Sequence, residues 1–156
     1  MKICIIAVGR LKADYARLGC TRFLDRLSRA FTVKHVEVKD VRRTRGTHAQ
    51  WKAEEAKLIK AQIPKGAVVV ALDERGREWS SPELAGWIDN QRNRSVSQVA
   101  FILGGPDGLD PELRSSAHRV WSLGKMTLPH ELARLVVLEQ LYRAGSLLNG
   151  HPYHRD

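Results

Sequence analysis

Hydrophobic positions fall in short runs separated by stretches of helical period. Lys2–Val8 is apolar after its first residue and predicts a buried strand. Ala13–Arg29 carries Tyr15, Leu18, Leu24 and Leu27 near one face and arginines on the other, which predicts an amphipathic helix. Phe31–Val38 is rich in β-formers and predicts the next strand, followed by a basic loop, Asp40–Gly46. Thr47-His48-Ala49-Gln50 matches a capping box opening a helix to about Gln62, which Pro64-Lys65-Gly66 ends. Ala67–Leu72 is unbroken and apolar, the pattern of a central parallel strand covered on both faces, and Asp73–Gly76 reads as a turn. Ser80, Ser81, Pro82 and Glu83 mark a helix start running to about Arg92. Val99–Leu103 is a second fully apolar strand, Asp110-Pro111 opens a short helix, and Val120–Leu123 is a short strand. After the loop Gly124–Pro129 comes the most apolar helix, Glu131–Leu148, closed by Asn149-Gly150 and followed by the tail His151–Asp156.

Five strands interleaved with five helices predict a single α/β domain over residues 1–156, built on a mainly parallel sheet flanked by helices. In such sheets ligands bind beyond the carboxyl ends of the strands. The segments after Leu72, Leu103 and Leu123 are therefore where chemistry is expected.

Charge sharpens the picture. Residues 1–46 hold 12 Lys/Arg against 4 Asp/Glu, whereas residues 47–156 hold 14 against 13. Nearly all of the net +9 therefore lies in the first third of the chain. A face of that kind favours a nucleic acid over a merely solubilising role, because each neutralised phosphate releases counterions. No apolar run approaches the roughly 20 residues that span a bilayer, and the first run is too short for a signal-peptide core. A cytoplasmic protein is expected. Cys4 and Cys20 form neither a disulfide framework nor a metal spacing.

Several segments have chemical potential. Glycines just past a buried strand, as in Gly104-Gly105-Pro106-Asp107-Gly108, let a ligand approach the backbone. The spacing is neither a dinucleotide fingerprint nor a P-loop, and a tight turn explains it equally well. Gly124-Lys125-Met126-Thr127-Leu128-Pro129 could wrap an adenine or be an ordinary connection. The tail packs His151, Tyr153, His154 and Arg155 into five residues, groups suited to base stacking, proton transfer and phosphate contact. Pro152 disfavours a metal pair of His151 and His154, and no further cluster completes a metal site. His35 and His118 read as satisfied structural imidazoles, His130 is ambiguous, and the four tryptophans read as core. Asp73 and Glu74 read as catalytic or as ordinary turn acids with equal weight. There is no nucleophile elbow and no H-E-x-x-H helix.

These segments together resemble a known family. Ile5-Ile6-Ala7-Val8-Gly9-Arg10, Val70-Ala71-Leu72-Asp73, Leu103-Gly104-Gly105-Pro106-Asp107-Gly108-Leu109, Lys125-Met126-Thr127-Leu128-Pro129-His130, Glu139-Gln140-Leu141-Tyr142-Arg143-Ala144 and Pro152-Tyr153-His154-Arg155 occur in an order and spacing similar to the small SPOUT-class methyltransferases that modify N3 of a pseudouridine in 23S rRNA, the RlmH family. Gly124, where a serine is common, is a mild departure.

The resemblance implies an α/β sheet with a C-terminal trefoil knot, which general topology rules would argue against. It implies S-adenosyl-L-methionine held at Leu72, Gly104, Gly124, Lys125, Met126, Thr127, Leu128 and Pro129. It also implies a homodimer with each active site near the subunit interface, acting on 23S rRNA in the assembled ribosome, with no membrane and no metal. His154 is then the candidate base, Arg155 the group that stabilises charge or binds phosphate, and Tyr153 the stacking or hydrogen-bonding group. Gly105 would let the target base approach, and Arg10, Lys12, Arg42, Arg43 and Arg45 would face the RNA. The competing readings are a non-enzymatic RNA-binding or ribosome-assembly factor and an α/β protein binding another nucleotide.

Overall fold

The computed structural model describes residues 1–41 and 45–153, and the backbone of His154. In chain order the elements are β1 (Lys2–Val8), α1 (Asp14–Leu27), β2 (Thr32–Val38), α2 (His48–Gln62), β3 (Val68–Glu78), α3 (Ser81–Asn93), β4 (Gln98–Leu103), α4 (Pro111–Ser116), β5 (Arg119–Ser122) and α5 (His130–Leu148), with a 3-10 turn at Pro152–His154. The strands form one sheet in the order β2-β1-β4-β3-β5, and every pairing is parallel. The α/β class read from the apolar runs is the one observed.

Both faces of the sheet are covered, which is why its strands are apolar at consecutive positions. Ile3, Ile5 and Ala7 point to one side, with Cys20 and Leu27 of α1, Leu84 and Ile88 of α3 and Val137, Leu138 and Leu141 of α5. Cys4, Ile6 and Val8 point to the other, with Ala56 and Ile59 of α2 and Leu113 of α4. The chain inserts β4 between β1 and β3, then passes outward again to β5. Its carboxyl edge is therefore built from segments far apart in sequence.

The helix starts follow local chemistry. Thr47 and Gln50 form the expected capping box at α2, and Ser80 and Glu83 form another at α3. The Asp110 carboxylate accepts from Leu113 N at 3.1 Å and caps α4.

Two expectations need correction. The buried stripe of α1 is Ala16, Cys20 and Leu27, with Phe23 and Leu24 beside it. Tyr15 and Leu18 are 54% and 66% exposed, because at 3.6 residues per turn they lie on the side away from Leu24 and Leu27. Asp73–Gly76 is not a turn that ends the third strand. It is a bulge within β3, since Leu72 and Arg77 both pair with Trp121 and the strand resumes to Glu78. Gly76 makes this possible, since a Cβ there would lie 2.5 Å from the Val120 backbone.

Candidate active site

Three segments meet above the carboxyl ends of the strands: the β3 bulge, the glycine loop after β4 and the loop between β5 and α5. Together they enclose a cleft of about 340 Å³. Its apolar lining includes Leu72, Leu103, Leu109, Trp121, Leu123 and Leu128. Gly104, Gly105, Gly124, Met126 and Thr127 line it as well, so most of the residues expected to hold a cofactor converge here. Lys125 and Pro129 belong to the same loop but do not line the cleft.

The glycine loop is a tight turn as well as a cleft wall. Gly108 N donates to Gly105 O at 3.0 Å. A Cβ on Gly104 would lie 2.4 Å from the Gly108 carbonyl carbon, so the turn closes only over glycine. Gly124 has φ +133°, a conformation that side chains resist. The Ser122 hydroxyl donates to Gly124 O at 2.9 Å and accepts from Gly124 N, which fixes the loop's entry.

Charged groups frame the cleft. The Asp73 carboxylate accepts from Arg75 N at 2.9 Å and pairs with Arg114 at 3.3 Å, which ties the bulge to α4. Asp107 lies 2.6 Å from His48 Nδ1, tying the glycine loop to the first turn of α2. Lys52, one turn after His48, also lines the cleft. So does His130 at the start of α5; burial, opposed by the Glu131 charge, pushes its imidazole below the usual histidine range. Glu55 is almost fully buried behind Gly105 and accepts from Val41 N at 3.2 Å. Burial pushes its carboxyl up to about 7.

The loop between β1 and α1, which carries Arg10 and Lys12, lies at the same end of the sheet. Arg10 and Lys12 are exposed. The Lys12 and Ala13 amides donate to the Glu131 carboxylate. Buried Arg134 donates to Val8 O and Gly9 O and pairs with Glu37 at 2.6 Å. The strand end that carries Arg10 and Lys12 is thus pinned to the helix turn that borders the cleft. Arg45 is exposed beside α2, while Arg42 and Arg43 lie outside the described residues.

Tyr153 packs on α5 and does not line its own chain's cleft. The Tyr153 hydroxyl donates to Glu139 at 3.1 Å, its ring lies 4.6 Å from that of Tyr142, and the Arg143 guanidinium sits 5.0 Å from its centroid. Glu139 is nine residues beyond His130, roughly 14 Å along the helix axis. The side chain of His154, and Arg155 as a whole, lie outside the described residues. No group of three or more His, Cys, Asp or Glu able to hold a metal ion occurs among the described residues. No helix is long and apolar enough to cross a membrane among them.

Sequence reading missed Lys52 and the His48–Asp107 pair. The helical spacing of His48 and Lys52 puts them on one face, but nothing in the sequence shows that this face meets the glycine loop.

Comparison with known proteins agrees with this geometry. A family model described as "Predicted SPOUT methyltransferase" matches residues 1–154. Proteins named ribosomal RNA large subunit methyltransferase H are similar throughout: those of Allorhizobium ampelinum and Hydrogenovibrio crunogenus are each 44% identical over the full length of both chains. That of Deinococcus deserti is 43% identical over 99% of this chain and all of its own. Among solved structures, a probable methylase family protein from Haemophilus influenzae shares the fold at a TM-score of 0.51 and 14% identity, covering 99% of this chain and 70% of its own. A probable methyltransferase from Bordetella pertussis does so at 0.51 and 17%, covering 91% and 95%. A parallel sheet whose looped carboxyl edge forms the cleft, and a match along nearly the whole chain, establish that the protein belongs to the SPOUT methyltransferase family.

Proposed function

We propose that the protein transfers a methyl group from S-adenosyl-L-methionine to N3 of a pseudouridine in 23S rRNA, as a homodimer acting on the assembled ribosome. The observation that carries this reading is the convergence of Leu72, Gly104 and the Gly124–Leu128 loop on one cleft. Its leucines and Trp121 suit a flat, weakly polar ring, and its glycine turns offer backbone groups at close range. These features fit an adenosyl group. When bound, the sulfonium supplies an activated methyl and removes the need for a metal or a covalent enzyme intermediate. The knotted C-terminal path implied by the family resemblance belongs to the same reading.

The chain's own residues have the remaining tasks. N3 of the base carries an imide proton and is a poor nucleophile until that proton leaves, so the site must position the base and accept the proton. Gly105, which faces the cleft without a side chain, lets the base approach. His154 accepts the proton, Arg155 stabilises the negative charge left on the uracil oxygens, and Tyr153 contacts the ring. Because Tyr153 sits on the far half of α5 from its own cleft, this reading has the tail serve the cleft of the second protomer. Arg10, Lys12, Arg42, Arg43 and Arg45 face the RNA backbone.

Mass spectrometry of 23S rRNA from cells lacking the gene tests this reading. One pseudouridine should lose its N3 methyl and regain it on complementation. An unchanged modification pattern with defective subunit assembly would favour a non-enzymatic assembly factor.

A further inference from the structure

A second concavity, of about 590 Å³, is lined by Arg45, Gly46, Gln50, Trp51, Glu54 and Lys57 among others. Trp51 is partly exposed. It stands apart from the stacked trio Trp79, Trp87 and Trp121, whose rings lie 5.3 and 5.8 Å apart. Its indole N–H donates to Arg45 O at 3.0 Å. Gly46 has φ +105°, and a Cβ there would lie 3.1 Å from the indole Nε1, so the loop passes close to that atom only as glycine. His48, one turn earlier, places its ring 5.0 Å from that of Trp51.

Two observations tie this concavity to the chemistry. His48 is joined at 2.6 Å to Asp107, which lines the cleft, and Lys52 on the same helical turns lines the cleft too. The described lining of the concavity carries two cations, Arg45 and Lys57, against one acid, Glu54. A partly exposed tryptophan in a concavity with two cations, on the helix that also borders the cleft, has the composition that binds unpaired nucleotides.

We propose that this concavity is a stacking subsite for an unpaired nucleotide flanking the target, with the flanking base on Trp51 and its phosphate against Arg45 and Lys57. The proposal rests on the RNA-methyltransferase reading and deepens it by naming a contact away from the reacting base. A purely structural Trp51 would serve only to brace the Arg45 carbonyl.

The test uses the full-length protein, a nine-nucleotide uridine-rich single-stranded RNA, tryptophan fluorescence and calorimetry with S-adenosyl-L-methionine. The RNA should quench wild-type fluorescence. Trp51→Phe should abolish that quench yet retain RNA affinity within about threefold, because a phenyl ring still stacks, whereas Trp51→Leu should lose about tenfold or more. Donor affinity should be unchanged in both. Lys57→Glu, on an exposed helical position, should also cost about tenfold in RNA affinity; it serves as the test if Trp51→Leu does not fold. Equal losses in the Phe and Leu variants would point to the Arg45 hydrogen bond and overturn the proposal. So would an undiminished quench in Trp51→Phe, no quench in wild type, or unaltered affinity in Lys57→Glu. Failure of the underlying reading looks different: wild type would neither bind the donor nor methylate rRNA.

Discussion

The Tyr153 hydroxyl donates to the Glu139 carboxylate, and this bond holds Tyr153 on α5 away from the helix start at His130, which lines the cleft. Arg143 grips the same carboxylate at 2.8 Å and lies over the tyrosine ring, so Tyr153 and the helix form one unit. If the protein is a homodimer, as proposed, the residues after Tyr153 would serve the partner's cleft. Mixing two inactive variants, Gly104→Val in the cleft and Tyr153→Ala with His154→Ala in the tail, should therefore restore activity. In a symmetric dimer about a quarter of the wild-type rate is expected from a random equal mixture. If each chain uses its own tail, the mixture stays inactive.

The glycine turn makes a sharper demand. Gly104→Ala places a methyl 2.4 Å from the Gly108 carbonyl carbon, so the turn must open and donor affinity should fall by about tenfold or more, equivalent to roughly 1.4 kcal/mol. Gly86→Ala is the control. Its Cβ meets nothing within 4 Å at an exposed position of α3, and it should stabilise the protein by about 0.5–1 kcal/mol without affecting binding. Calorimetry and thermal unfolding of the two variants check both halves.

The proton acceptor can be read from pH–rate profiles. If His154 accepts the N3 proton, His154→Ala and His154→Gln should lose the acidic limb of the profile and most of the turnover. Near-normal turnover with an unchanged profile would leave His154 as a group that only orients the base.

Glu55 links the cleft wall to pH. Its carboxyl, raised to about 7 from 4.5, binds a proton in the folded state across a range where the unfolded chain has released it. Its contribution to stability is therefore full below about pH 4.5 and lost as pH rises through about 7. A shift of that size corresponds to at most roughly 3 kcal/mol. Glu55→Gln keeps an acceptor for Val41 N and removes the titration. Urea unfolding at pH 5 and pH 8 should show a smaller stability difference in the variant, by on the order of 2 kcal/mol. An equal difference in the two proteins would contradict the assignment.

Much of this arrangement is legible in the chain. Strands buried on both faces announce themselves as unbroken apolar runs, as in Val99–Leu103, and Thr47 and Ser80 announce helix starts through their paired Gln50 and Glu83. The bulge in β3 is not legible. Asp73-Glu74-Arg75-Gly76 has turn composition, and only the parallel backbone of β5 lets the strand resume after it. The outward face of Tyr15 and Leu18 is hidden too, because the helix meets α5 through Gly19, where a Cβ would lie 2.7 Å from Leu135. The cleft-forming loops were foreseeable as strand ends, but their union depends on strand order, which places β4 and β5 on either side of β3. Trp51 reads as core by its apolar neighbours, yet the buried apolar positions of α2 are Ala56 and Ile59, and Trp51 is only partly covered.

The most direct measurement is reconstitution: purified protein, S-adenosyl-L-methionine carrying a labelled methyl, and ribosomes from cells lacking the gene, with the 23S rRNA then digested and mapped by mass spectrometry. The account predicts one labelled methyl, on N3 of a pseudouridine, formed by the wild type and lost in Gly104→Val. Label on a different atom, or none despite donor binding, would contradict it.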